Sequence, residues 1–241
     1  MQLIIIRHGD PDYKHDTLTE RGWKEAEALS ERMAVIPATA YYVSPLGRAR
    51  DTASLTLKKV GKEATVLPWL TEFTHPVKKP HPAVSPHIPW NWIPEDWSER
   101  KEFYDNEEWF KAPEMVEGNI KEAYDEVTTG LDKLLASYGY ERNGHTYKPV
   151  RPNHDIVVLF CHFGVEGVLL SHLLNASPMI VWHGCIAETT GVTTLATEER
   201  EKGCAIWRML SFSDLSHLSA KGITPSFAGR FDEVYGDNSE G

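Results

Sequence analysis

The apolar run Leu3-Ile4-Ile5-Ile6 ends abruptly on Arg7, His8 and Gly9, and this junction constrains the chain more than any other stretch. Branched aliphatic residues in an unbroken run suit a buried strand of an open α/β sheet. Such sheets bind their ligands in crevices at the carboxyl ends of the strands. A cation and an imidazole delivered to that end, followed by a glycine that lets backbone approach a ligand, suit an anion. His8 is therefore a candidate nucleophile. The plainer alternative is a strand that stops in two solvated polar residues.

The same pattern returns late in the chain. Ile156 to Phe160 reads as a second buried strand, Cys161-His162-Phe163-Gly164 as a sharp corner, and the segment that follows as a helix. His162 thus arrives at a strand end as His8 does, next to a helix N-terminus whose free amides favour anions. One strand-end histidine is ordinarily structural, whereas two form a stronger signal.

Between these corners, Thr19 can cap a helix whose Trp23, Ala26, Leu29 and Met33 recur on one face. Ala40 to Val43 reads as a short strand stopped by Ser44-Pro45, and a helix begins at Gly47, with Arg48 and Arg50 in its first turn. An arginine there supplies a planar fork for phosphate oxygens, although a solvated helix start uses arginine as well. Glu72 follows the short apolar segment VLPWL, at a strand end or in the loop beyond it. Ile120, Ala123, Tyr124, Val127, Leu131, Leu134, Leu135 and Tyr138 predict a long structural helix that ends at Gly139. Glu141 to Asp155 reads as a polar loop. Glu188–Ala196 and Ala205–Phe212 read as finishing strands joined by the charged turn TEEREKG, and Ser213–Leu218 closes the domain.

From about residue 75 to 112 the texture changes to proline and aromatic residues. Trp90, Trp92, Trp97, Trp109 and Phe110 suit a lid or substrate-side wall, or a second small core, and the reading adopted is a mixture of core and lid. His75, His81 and His87 invite a metal reading, but no acidic or thiol partner stands at ligand spacing, so no metal is expected. The chain has 241 residues, with 25 Lys plus Arg against 35 Asp plus Glu and a net charge of -10. That balance disfavours nucleic acid or an anionic membrane as partner, so any anion site is a local basic pocket. The first residues lack a basic leader and no apolar run approaches a membrane span, which predicts a cytoplasmic protein. Cys161, Cys185 and Cys204 are far apart and odd in number, and they read as buried free thiols. Lys221 to Gly241 forms a polar tail that either straps across the surface or is partly disordered.

Taken together, RHG at 7–9, LTERG at 18–22, SPLGRARDTA at 44–53, Glu72 and CHFG at 161–164 resemble the histidine phosphatase superfamily, in its phosphoglycerate-mutase-like branch. The resemblance implies an α/β fold, a three-layer α/β/α sandwich with a mostly parallel central sheet, over a domain of residues 1–220. By the same resemblance His8 is the residue phosphorylated in turnover, Arg7, Arg48 and His162 hold the phosphoryl group, and Glu72 is the proton donor. Arg50 is a further phosphate contact or a helix anchor, and Thr19 and Gly22 border the substrate or serve the helix start. The expected activity is metal-independent and cofactor-free hydrolysis of a small phosphate monoester through phosphohistidine. A phosphomutase and a non-catalytic phosphate-binding protein of the same fold are the alternatives. Asp10-Pro11-Asp12-Tyr13 departs from the serine and asparagine pattern common in the mutases, and Phe163 stands where glycine is common. Oligomeric state is not legible.

Overall fold

In the computed structural model, alternate residues of the first strand enter two different cores. Leu3 and Ile5 join Leu131, Leu135, Val165 and Leu169 on one face of a sheet. Ile4 and Ile6 join Leu29, Met33, Ala49 and Ala53 on the other. A strand covered on both faces needs apolar residues at every position, which is why this run does not alternate with polar residues. The structure describes residues 1–83, 85–231, 233 and 234.

The elements, in chain order, are β1 (Gln2–Arg7), β2 (Pro11–Asp12), β3 (Thr17–Leu18), α1 (Glu20–Ala34), β4 (Ala40–Val43), α2 (Gly47–Val60), β5 (Ala64–Val66), α3 (Pro94–Trp97), α4 (Pro113–Glu117) and α5 (Ile120–Ser137). They continue as β6 (Tyr140–Asn143), β7 (Thr146–Pro149), β8 (Ile156–Cys161), α6 (Phe163–Leu174), α7 (Pro178–Gly184), β9 (Val192–Glu201), β10 (Cys204–Asp214) and α8 (Ser216–Ser219). Eight strands form one mixed sheet in the order β5-β4-β8-β1-β9-β10-β7-β6. Its half from β5 to β1 is parallel and the remainder antiparallel. Helices cover both faces, so the α/β expectation is met, and the parallel half is the one that carries both histidine corners. Arg7 pairs with Cys161 in register, which sets those corners side by side.

Several expectations need correction. Trp23 is 38% exposed, because the buried face of α1 is made by Gly22, Glu25, Ala26, Ala28, Leu29, Ser30 and Met33 instead. The expected polar loop after α5 contains the hairpin β6–β7, which extends the antiparallel edge through β10. The strand expected to start at Glu188 starts at Val192 and runs on to Glu201, so most of TEEREKG is strand. Cys204 is exposed, whereas Cys161 is buried, and all three thiols are free. In the 75–112 segment, Trp92 and Trp109 belong to the main core with Phe103 and Met115 rather than to a second one. No helix among the described residues is long and apolar enough to cross a membrane.

Candidate active site

His8 leaves β1 with its amide bonded to the Cys161 carbonyl at 3.0 Å and its carbonyl accepting from the Thr190 amide at 3.2 Å. Its backbone is therefore fixed on both sides. His8 Nδ1 lies 2.7 Å from the carbonyl oxygen of Gly9. A carbonyl only accepts, so in the neutral ring Nδ1 carries the proton and Nε2 keeps the lone pair. Burial, and then the guanidiniums of Arg7 and Arg48, hold the His8 pKa well below the usual histidine range, against the opposing pull of the Gly9 carbonyl. The imidazole is neutral at neutral pH, the state in which Nε2 can attack.

His162 follows β8 directly, at the N-cap of α6, with its ring centroid 5.1 Å from that of His8. Its Nε2 lies 2.7 Å from Ser44 Oγ, and Ser44 is placed by its own amide, which donates to the Phe160 carbonyl at the end of β8. Burial, then His8, Arg48 and Arg7, hold its pKa well below normal too. Arg7 donates from Nη1 to the carbonyls of Ala187 at 2.6 Å and Ala228 at 3.2 Å. Arg48, in the first turn of α2, donates from Nη1 to Asp16 Oδ1 at 2.7 Å. Asp16 Oδ2 accepts from the Gly47 amide at 2.6 Å and so serves as the cap that Leu46, with no polar side chain, does not provide.

Three buried donor positions around His8 remain without a hydrogen-bond partner among the described residues: Arg7 Nε, Arg48 Nε and His162 Nδ1. Buried polar atoms in native structures are nearly always paired, so such a cluster marks a place where a ligand supplies acceptors. Two guanidiniums and an imidazole there fit an oxyanion with several oxygens, such as a phosphoryl group.

Glu72 comes to the same place. Its Oε1 accepts from the amides of Phe73 at 2.8 Å and Val165 at 3.2 Å, the latter in the first turn of α6. Burial raises its pKa, although those two amides and the nearby Arg7 and Arg48 pull the other way. The result is a carboxyl tuned toward holding a proton.

The structure therefore brings together Arg7, His8, Arg48, Glu72 and His162, and it leaves three other candidates elsewhere. Arg50 is exposed and lines a shallow groove with Val43, Ala53, Leu57 and Val66. Two residues along a helix turn a side chain by about 200°, away from the face of Arg48. Thr19 caps α1, accepting from the Gly22 amide at 3.1 Å and donating to the Asp10 carboxylate. Gly22 lies so close to the Gly9–Asp10 turn that a Cβ would sit 2.3 Å from the Asp10 carbonyl. Thr19 and Gly22 thus shape the loop after His8 instead of joining the cluster of Arg7, Arg48 and His162. His81 pairs with Asp96 at 2.6 Å, and among the described residues no three His, Cys, Asp or Glu side chains gather as a metal site.

Four contributors were not singled out from sequence. Ser44 and Asp16 hold the second histidine and the second arginine. Glu166, on α6, is buried, and burial pushes its pKa up to about 8 against the opposing pull of Thr193 and Arg7. The fourth is the segment 225–230, which runs along the N-terminal corner: Ser226 donates through its hydroxyl to Asp10 and through its amide to Glu25 Oε1 at 3.3 Å, and Ala228 meets Arg7. The polar tail is a strap over these described residues.

Comparison with known proteins places the chain in a family and matches its fold. A model of the histidine phosphatase superfamily, branch 1, matches residues 3–209. A comparison with curated proteins gave no match. Among solved structures, the chain is similar to a mycobacterial glucosyl-3-phosphoglycerate phosphatase, at 20% identity and TM-score 0.57 over 88% of this chain and 98% of that one. It is also similar to a phosphoserine phosphatase from Entamoeba histolytica in complex with 3-phosphoglyceric acid, at 19% identity and TM-score 0.57 over 90% and 98%. A third is the alpha-ribazole phosphatase from Shigella flexneri, at 17% identity and TM-score 0.57 over 89% and 97%. At such identities the likeness is one of fold, and it is the family match over most of the sequence that places the chain: it belongs to branch 1 of the histidine phosphatase superfamily.

Proposed function

We propose that the protein is a phosphatase that hydrolyses a small phosphate monoester through a phosphohistidine at His8, with no metal ion. The observation that carries this reading is the set of three unpartnered buried donors, Arg7 Nε, Arg48 Nε and His162 Nδ1, beside a neutral histidine whose free nitrogen is Nε2.

Nε2 of His8 attacks phosphorus, and the P–O bond to the leaving group breaks in line with it. Charge on the equatorial oxygens falls to the two guanidiniums and to His162, which do in a dry site what a divalent cation does in other phosphoryl-transfer enzymes. For His162 to donate from Nδ1, Ser44 donates its hydroxyl proton to Nε2, which fixes the tautomer. Glu72 gives its proton to the departing alkoxide. As a carboxylate it then takes a proton from the water that attacks phosphohistidine, releasing inorganic phosphate and restoring both groups. Phe163 and Trp90 flank this corner, with ring centroids 5.4 Å apart.

The test is turnover of a phosphate-monoester panel by the wild type and by His8→Ala, with chelator present and rapid acid or base quench. The reading expects phosphate release in chelator by the wild type only, and an acid-labile, base-stable phosphoenzyme that His8→Ala lacks. Equal activity of the two proteins overturns it. So does activity that chelator abolishes.

A further inference from the structure

Glu72 marks where the leaving group begins, because a proton donor must stand within hydrogen-bond reach of the oxygen it protonates. What surrounds Glu72 therefore meets the alcohol first. Gly164, the second residue of α6, is the meeting point. A Cβ on it would lie 2.7 Å from Glu72 Oε1 and 2.3 Å from Trp90 Nε1, so the carboxyl and the indole share one cradle that only glycine leaves open. Trp90 in turn stands edge-on to Phe163, with ring centroids 5.4 Å apart and an interplanar angle of 81°. The Phe163 ring centroid is 5.9 Å from Arg7 Cζ. The two rings thus extend from the proton donor to the phosphate arginine.

We propose that Trp90 and Phe163 form the leaving-group wall and that the site prefers phosphate monoesters of aromatic or bulky apolar alcohols over those of small carboxylate-bearing or polyhydroxy alcohols. The proposal rests on the reading of Glu72 and His8 given above.

Three observations carry it. Trp90 has one polar atom, and its N–H is already given to the Phe73 carbonyl at 2.6 Å. It presents only carbon surface to a ligand, and Phe163 has nothing else to present. Both rings are partly exposed, unlike Trp92 and Trp109, which are 6% and 1% exposed in the core. They retain exposed apolar area for a ligand to cover. The wall is also held in place. Trp90 belongs to a loop whose ends are tied by Lys79, buried itself and donating to the carbonyls of Pro86 and Asn91. A preformed apolar wall with its polar atoms already spent penalises a hydroxyl-rich or charged alcohol, whose water it strips without replacement. Tyr13, 67% exposed, lies over Arg48 with 5.4 Å between ring centroid and Cζ, which adds an aromatic face beside the second arginine.

The experiment compares 2-phenylethyl phosphate, n-propyl phosphate and 3-phosphoglycerate, saturated-carbon esters whose alkoxides are all poor leaving groups. Wild type, Phe163→Ala, Phe163→Leu, Phe163→Tyr and His8→Ala are measured for kcat and KM. The expected wild-type order of kcat/KM is phenylethyl, then propyl, then phosphoglycerate. Phe163→Ala lowers the phenylethyl-to-propyl selectivity ratio about 10-fold, the size of one lost aromatic contact, chiefly through KM. Phe163→Leu lowers it less and Phe163→Tyr restores it. A wild type that prefers phosphoglycerate, or a Phe163→Ala effect equal on all three esters, overturns the proposal while leaving the phosphohistidine reading intact. Loss of phosphate release in Phe163→Ala with Leu and Tyr variants identical to wild type also overturns it, since a packing defect then accounts for the effect. Equal activity of His8→Ala and wild type overturns both readings at once.

Discussion

Ser44 Oγ and His162 Nε2 stand 2.7 Å apart in a buried setting, and this contact decides which nitrogen of the second histidine faces the ligand. Ser44→Ala leaves Nε2 without a partner and the ring free to take the other tautomer. An unsatisfied buried partner costs about 1–3 kcal/mol, so kcat/KM is expected to fall about 10-fold or more. Ser44→Thr, which keeps the hydroxyl, is expected to recover part of it. Steady-state kinetics with both variants checks this, and a Ser44→Ala enzyme as active as wild type removes Ser44 from the mechanism.

Asp16 performs for Arg48 what Ser44 performs for His162, and it also caps α2. Burial pushes the Asp16 carboxyl upward, but the Gly47 amide and the Arg48 guanidinium outweigh it and hold its pKa below the usual range. A carboxylate with a depressed folded-state pKa stabilises the fold above its ordinary value and loses that contribution as pH falls through the folded pKa. Asp16→Asn is therefore expected to flatten the acid limb of a melting-temperature profile below about pH 4. Asp16→Ala is expected to raise KM for any phosphate ester, since Arg48 is no longer held. Unchanged KM in the alanine variant contradicts that role.

In the proposed reaction Glu72 is protonated when it meets the leaving group, and burial raises its pKa. The rate of phosphoryl transfer should accordingly decline as pH rises through that raised value, and Glu72→Gln should abolish the decline. The loss in Glu72→Gln is expected to be about 10²–10⁴-fold for an alkyl phosphate and much smaller for 4-nitrophenyl phosphate, whose phenolate leaves unaided. Equal losses for both esters would mean that Glu72 acts by something other than proton donation.

Glu166 offers a sharper titration. Its pKa is pushed up to about 8 by burial, from an unfolded value near 4.5. The folded state binds a proton that the unfolded state releases across this window, so stability falls as pH rises from about 5 to 8, by about 1.4 kcal/mol per pH unit at full effect. Glu166→Gln should lose that slope. Melting temperatures at pH 5 and pH 8 for the two proteins test it, and parallel profiles would show that Glu166 is ionised or solvated in the folded state.

What was legible in the sequence was whatever the strand-end rule reaches. Arg7, His8 and His162 follow buried runs directly, so local pattern marks them, whereas Arg48 reads equally as a solvated helix start and is marked only by the resemblance of SPLGRARDTA to the family. Residues that act through others carry no such mark. Ser44 reads with Pro45 as a strand terminator, which carries no sign of its contact with His162, and Asp16 sits in a loop where its left-handed backbone, φ 49°, has no sequence signature beyond being Asp. Glu166 looks like an ordinary exposed first-turn acid of a helix until the neighbouring strands bury it. The β6–β7 hairpin turns on Gly144-His145, with Gly144 at φ 60° in a two-residue connection, but Glu141, Arg142, Thr146 and Lys148 around it are polar because this edge buries little more than Tyr140, Tyr147 and Pro149. Trp90 and Trp92, two residues apart, show the limit most clearly. One stands beside Glu72 and the other is in the core, and only the fold of the loop separates them.

The strap has a consequence for how the molecule behaves on warming. Arg7 is gripped by carbonyls 180 and 221 residues further along the chain, and the second of these belongs to a short run without regular secondary structure. Segments of that kind open locally at a free energy well below that of the whole fold. One of the two carbonyls that hold Arg7 thus belongs to a segment held mainly by hydrogen bonds to side chains and by no helix or strand ladder. Heat inactivation should run ahead of the loss of helical signal, so that a population of intact but idle molecules exists over a span of temperature in which spectroscopy still reports a native protein.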